Sequence, residues 1–118
     1  MDKNCLFCKI VNKEIKAQIV FEDEEVLAFK DIKPIAPVHV LVIPKRHIES
    51  VAKAEQTDTM LMGKLVMTAK KIAEDLNISE KGYKLLIRVG RDGGQEVKHI
   101  HLHLLGGARL SENIHPLS

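Results

Sequence analysis

Three histidines, His99, His101 and His103, recur at every second residue in the segment HIHLHLL. A β-strand turns its side chains to opposite faces alternately, so this spacing sets three imidazoles on one face. Ile100, Leu102 and Leu104 fall on the other face, where they suit a core. Three buried or half-buried rings each need a hydrogen-bond or metal partner. A strand with no further duty would carry Thr or Val at those positions, so the histidines point to chemistry. A neutral imidazole is a nucleophile near neutral pH and a ligand for transition metals. Neighbouring rings on the strand, such as His101 and His103, stand roughly 6.6 Å apart by strand rise, close enough to act on one small group.

The only two cysteines, Cys5 and Cys8, form a C-x-x-C pair. Two cysteines exclude a disulfide framework and leave metal ligation, redox chemistry or plain thiols. A thioredoxin-like reading needs a preceding strand, and the pair lies too near the start of the chain for one. Between the two chemical segments lies a glycine-rich stretch, Gly90-Arg91-Asp92-Gly93-Gly94-Gln95-Glu96. Glycines allow successive backbone N–H groups to converge on phosphate oxygens. The same stretch also reads as a plain hairpin turn.

These residues need a scaffold, and 118 residues are enough for one domain with a modest core. We expect a short helical turn over Cys5 to Val11, then strands at Ile19–Glu22 and Val26–Phe29 joined by a turn at Asp23-Glu24. A loop with two prolines from Asp31 to Pro37 leads to a third strand, Val38–Ile43, closed by Pro44. Leu61, Met62, Leu65, Val66, Ala69, Ile72, Ala73 and Leu76 then repeat at three- and four-residue steps, which predicts a helix from about Asp58 to Leu76. Asp58 or Thr57 can cap its start, and Asn77 can end it. Tyr83–Val89 and His99–Leu105 supply the fourth and fifth strands, antiparallel neighbours across the glycine-rich turn. One long helix over such a sheet is an α+β architecture.

Composition narrows the function. With 3% aromatic residues and no Trp, the chain lacks base-stacking platforms for single-stranded nucleic acid. A net charge of +2 with interspersed signs is no footprint of a DNA binder, so no nucleic-acid partner is expected. No apolar run approaches the ~20 residues of a membrane span, and Met1-Asp2-Lys3-Asn4 is too polar for a signal peptide. Neither a membrane nor an oxidising compartment is expected. The location expected is cytoplasmic.

In order along the chain, LFCKIVNKEI, AFKDIKPIAPVHVLVIPKRHI and GRDGGQEVKHIHLHLLGG together resemble the histidine triad (HIT) family, most closely its branch of histidine triad nucleotide-binding proteins, which are purine nucleoside phosphoramidases. The likeness covers nearly the whole chain. It implies a five-stranded antiparallel sheet with one long and one short helix, continued across a homodimer. By resemblance, His101 is the nucleophile on the α-phosphorus of a purine nucleotide, with His103 and His39 beside the phosphate. Taken alone, His39 also reads as a core histidine bonded to backbone. Gly94, Gln95 and Glu96 would cradle phosphate through their amides. Asp31 would accept the ribose hydroxyls and Ile32 would contact the base, with Phe29, Phe7 and Ile10 nearby. Turn capping by Asp31 and core positions for the other three are the alternatives. Several bacterial members carry a Cys₂His₂ set matching Cys5, Cys8, His47 and His99, which implies a structural zinc and no catalytic cofactor.

The chain departs from familiar members of the branch at Arg88, where Asn is common, at Glu96, where some carry Ser, and at Lys98, where Tyr is common. Arg88 is expected beside Glu96 or the α-phosphate. The tail from Ser111 to Ser118 lacks the Trp-Pro ending of some relatives, and His115 in it reads as surface. Gly106-Gly107 after the triad resembles this branch rather than the dinucleoside polyphosphate hydrolases, the nearest rival activity. A nucleotide-binding regulatory module and a zinc-stabilised interaction protein are the rivals from other classes.

Overall fold

The computed structural model describes residues 3–117. In chain order the elements are α1 (Leu6–Val11), β1 (Ile19–Glu22), β2 (Val26–Lys30), β3 (Val38–Pro44), α2 (Thr59–Asp75), β4 (Lys84–Ile87) and β5 (Leu102–Gly106), with short 3₁₀ turns at Val51–Lys53 and Gln56–Asp58. The strands form one sheet in the order β1-β2-β3-β5-β4, and every neighbouring pair is antiparallel. This is the expected α+β fold, a five-stranded sheet with one long and one short helix.

Local chemistry accounts for the element ends. A carboxylate oxygen of Asp23 accepts the N–H groups of Glu25 and Val26, each at 2.8 Å, and closes the β1–β2 turn. Asp58 precedes α2 but does not cap it. Its carboxylate accepts the Glu55 N–H at 2.8 Å and is paired with Arg46. Asn77, with φ +60°, takes the left-handed conformation just past α2 and stops it.

The sheet separates two apolar clusters. On one face α2 presses Leu65, Ala69, Ile72 and Ala73 against Val26, Ala28, Val40, Val42, Leu102 and Leu104. Thr68 joins this buried stripe, whereas Val66 and Leu76, expected on it, are exposed. Val66 follows Leu65 by 100° around the helix and so leaves the centre of the stripe. On the opposite face α1 covers Leu27, Phe29, Leu41 and Ile43 with Phe7, Cys8 and Ile10. A six-residue helix has no independent stability and exists here because it is packed and capped. Cys5 supplies that cap, its Sγ accepting the Cys8 N–H at 3.4 Å.

The last strand begins later than the spacing predicts. Ladder pairing to β3 and β4 starts at Leu102. Ahead of it, the Ile100 N–H bonds the Ile48 carbonyl at 2.8 Å, and the His99 N–H bonds the Val97 carbonyl at 2.9 Å. His99 lies in a bend, and Ile100 and His101 follow it ahead of the strand. The alternation of faces survives nonetheless, since Ile100 joins the α2 cluster and Phe7 of α1 packs on His99 and His101. The fourth strand is likewise shorter than Tyr83–Val89.

Candidate active site

The antiparallel register sets His39 opposite Leu105 and Leu41 opposite His103, so His39 of β3 and His103 of β5 are neighbours on the α1 face. Nε2 of His39 lies 2.9 Å from Nδ1 of His103. The ring centres of His101 and His103 are 5.0 Å apart, and those of His39 and His103 are 5.2 Å apart. Three of the sequence-derived site residues thus form one imidazole cluster, each buried.

Each ring has a partner that orients it. Nδ1–H of His101 donates to the main-chain oxygen of His99 at 2.8 Å, which leaves the lone pair on Nε2. Burial lowers the His101 pKa from its ordinary value, with Arg88 adding to the effect, while the bond to the His99 carbonyl works against them. Burial also lowers that of His103, to about 4, with further contributions from His101, Arg88 and His39. His39 is lowered mainly by burial, opposed by Asp31. Charging any of these rings would cost desolvation, so all three are neutral near pH 7.

Phe7 stands edge-on to His101 with ring centres 5.1 Å apart, and edge-on to Phe29 at 5.5 Å. Phe7, Ile10 and Phe29 are all buried, so they back the imidazoles from within the core. Asp31 is at the end of β2, one carboxylate oxygen 3.4 Å from Nε2 of His39 and the other accepting the Lys33 N–H at 2.8 Å. Ile32 beside it is 88% exposed. Asp31 and Ile32 line an open cleft of about 560 Å³ with Lys16, Ala17, Gln18 and Lys30. That volume falls within the range that receives small ligands. Lys16 and Gln18 carried no signal in the sequence, being ordinary polar residues between α1 and β1.

The glycine-rich turn differs in detail from a cradle of convergent amides. The Gly94 N–H bonds the Arg91 carbonyl at 3.1 Å and the Gln95 N–H bonds the Gly90 carbonyl at 3.0 Å, both within the turn. Of the three amides expected to face phosphate, these two are engaged, and the Glu96 amide is the one these turn bonds do not use. The Gln95 side chain staples the turn to its surroundings: Oε1 accepts the Gly90 N–H, and Nε2 donates to the Glu49 and Val97 carbonyls. Gly94 has φ +79°, and a Cβ on Gly93 would come within 2.5 Å of the Val89 carbonyl oxygen, so both glycines are needed by the turn's own geometry. Arg88 reaches back from the turn to Nε2 of His103, its Nη1 3.3 Å away. The Glu96 side chain is exposed.

The second cluster is Cys5, Cys8, His47 and His99, whose ligand atoms all lie within 4.8 Å of one another. Sγ of Cys5 is 3.3 Å from Nδ1 of His99, and Sγ of Cys8 is 3.4 Å from Nδ1 of His47. The two Nδ1 atoms are 3.2 Å apart. A zinc tetrahedron with ordinary Zn–N and Zn–S bonds has edges of roughly 3.3–3.8 Å, which these distances approach. His99 donates Nε2–H to the Pro44 carbonyl at 2.8 Å, so its Nδ1 lone pair faces the thiols. A ligand ring fixed through its other nitrogen is the usual outer support of a metal site. The residues fit the ion.

The HIT domain pattern matches residues 12–110. This chain belongs to the HIT family. The HIT protein is 44% identical to the purine nucleoside phosphoramidase of Escherichia coli K12 over 110 residues, 93% of this chain and 92% of that protein. It is 48% identical to the protein HitA of Neisseria gonorrhoeae over 103 residues, covering 87% and 95%. Its fold superposes on the crystal structure of a HIT family hydrolase from Legionella pneumophila with a TM-score of 0.92 and 49% identity, over 95% of this chain and 100% of that one. The histidine triad protein from Clostridium difficile also gives 0.92, at 39% identity over 95% and 97%. The HIT protein is a hydrolase. Among the described residues, no helix is long and apolar enough to cross a membrane.

Proposed function

We propose that this HIT protein cleaves the P–N bond of purine nucleoside 5′-phosphoramidates through a covalent nucleotidyl-histidine on His101. The observation that carries the reading is the bond from His101 Nδ1–H to the His99 carbonyl, which leaves Nε2 as a neutral nucleophile among His39 and His103. The 44% identity to a purine nucleoside phosphoramidase supports the substrate class. In the first step the Nε2 lone pair attacks the α-phosphorus, and the P–N electron pair leaves with the amine, which takes a proton from water. In the second step water attacks phosphorus, the P–Nε2 pair returns to the ring, and a proton passes to solvent. Nucleoside monophosphate is released. His103, with the Glu96 amide, holds phosphate oxygens, while His39 orients His103. Asp31 and Ile32 receive the nucleoside at the adjoining cleft.

Cys5, Cys8, His47 and His99 hold a structural zinc in this reading, with no catalytic cofactor. The protein is cytoplasmic and acts as a homodimer. The dimer is supported by β4, a sheet edge carrying the exposed Leu85, and by exposed Met60, Val66 and Met67 on α2. The test is a single-turnover assay with adenosine 5′-phosphoramidate on wild type and His101→Asn. AMP release with transient labelling of His101 in wild type alone is the expected result. Undiminished hydrolysis by His101→Asn removes this histidine as nucleophile. AMP binding without labelling leaves a nucleotide-binding module.

A further inference from the structure

The hydrogen bonds around His39 and His103 lead to two donors meeting without an acceptor. The Ile35 N–H points at Nδ1 of His39 from 3.2 Å, so Nδ1 accepts and the ring proton resides on Nε2. That Nε2–H is directed at Nδ1 of His103, 2.9 Å away, with a carboxylate oxygen of Asp31 at 3.4 Å as a second acceptor. His103 therefore accepts at Nδ1 and, being neutral, carries its proton on Nε2. The atom facing that Nε2–H is Nη1 of Arg88, 3.3 Å away, and a guanidinium has donors only. The Arg88 side chain runs past Gly94, its Cδ 3.4 Å from the point where a Cβ on that residue would sit, so the missing side chain leaves it room to reach the ring. A buried neutral ring and a half-buried cation thus turn N–H donors toward each other across 3.3 Å. One anionic oxygen between them would satisfy both.

We propose that Arg88 and His103 form a two-donor clamp for one oxygen of the reacting phosphoryl group, and that Arg88 makes the site selective for the doubly charged state of that group. The proposal rests on the nucleotidyl-hydrolase reading and deepens it. The phosphoryl group of a nucleoside phosphoramidate carries one negative charge. As the neutral ring attacks, the phosphoryl oxygens of the five-coordinate transition state gather a second negative charge, balanced by the developing imidazolium. The released monophosphate carries two once its second proton passes to solvent near pH 7. A full cation beside the phosphorus favours the latter pair, so Arg88 acts on turnover and product affinity more than on substrate binding.

The experiment titrates wild type, Arg88→Ala and Arg88→Lys with AMP, adenosine and inorganic phosphate by calorimetry. It also measures kcat and KM for adenosine 5′-phosphoramidate. Arg88→Ala is expected to lose about tenfold to a hundredfold in AMP affinity and in kcat, the range for a bond to a charged group. Adenosine affinity and KM stay within about threefold, and Arg88→Lys recovers part of the AMP affinity because the charge remains. Nitrogen-15 spectra are expected to show His103 protonated on Nε2 in the free protein. AMP affinity and kcat within about twofold of wild type in Arg88→Ala, or a proton on Nδ1 of His103, overturns the clamp. The two claims separate cleanly. Wild type that binds AMP through Arg88 without hydrolysing the phosphoramidate keeps the clamp and loses the reaction. Wild type that hydrolyses it equally well without Arg88 keeps the reaction and loses the clamp.

Discussion

The main-chain oxygen of His99 lies 2.8 Å from Nδ1 of His101, while the ring of the same His99 faces both thiols. One residue thus serves both clusters, its carbonyl fixing the tautomer of one histidine and its ring contributing to a ligand set. Nitrogen-15 spectra should show His101 protonated on Nδ1 and His99 on Nε2. A proton on Nε2 of His101 would remove the lone pair that the proposed attack needs.

Zinc should be present at about one ion per chain and leave on chelation. A ligand that binds only the folded state at a hundred times its dissociation constant adds about 2.7 kcal/mol, so chelation should lower Tm by several degrees. Cys8→Ser should lower Tm in the same way and blunt any further effect of chelator. Equal Tm with and without chelator would leave the four side chains as an ordinary polar cluster.

Acid should destabilise the fold in a defined window. His39 and His103 bind protons less readily when folded than when unfolded, where imidazoles titrate near 6.5. Between that value and about 4, where folded His103 titrates, the unfolded chain holds more protons, and lowering the pH favours unfolding. Stability is thus full above about pH 6.5 and declines toward pH 4. Asp23, held near 2 chiefly by its bond to Lys64, contributes its loss only below its ordinary value of 3.8. Equilibrium denaturation of wild type and His103→Asn across pH 4 to 8 checks this, the variant giving the shallower slope.

Gln95→Ala should cost roughly 1–3 kcal/mol, because its side chain satisfies the Gly90 N–H and the carbonyls of Glu49 and Val97. The glycine-rich turn that carries Arg88 would loosen with it. Urea denaturation gives the stability change, and kcat should fall in parallel.

The period-two spacing of His99, His101 and His103 predicted their common face, and the apolar period of α2 predicted the helix. Both signals are local, and local pattern survives folding. What the pattern could not show is where a partner begins. The last strand starts at Leu102 because Ile100 is claimed by the Ile48 carbonyl, a contact 52 residues distant in the chain. The amides of Gly94 and Gln95 likewise looked available for phosphate, but turn closure engages them. Arg88 stood out by residue type. Its meeting with His103 depends on the pairing of β4 with β5 and is therefore a tertiary fact.

The 17-residue helix packs on the side of the sheet away from His99 and His101, and a six-residue one covers those two rings through Phe7. Detachment of that small cover would bare the sulfur atoms and the His101 ring together. Oxidants would then reach both clusters through a single opening, so the grip of Phe7 and Ile10 on the sheet guards the sulfurs and the imidazoles alike.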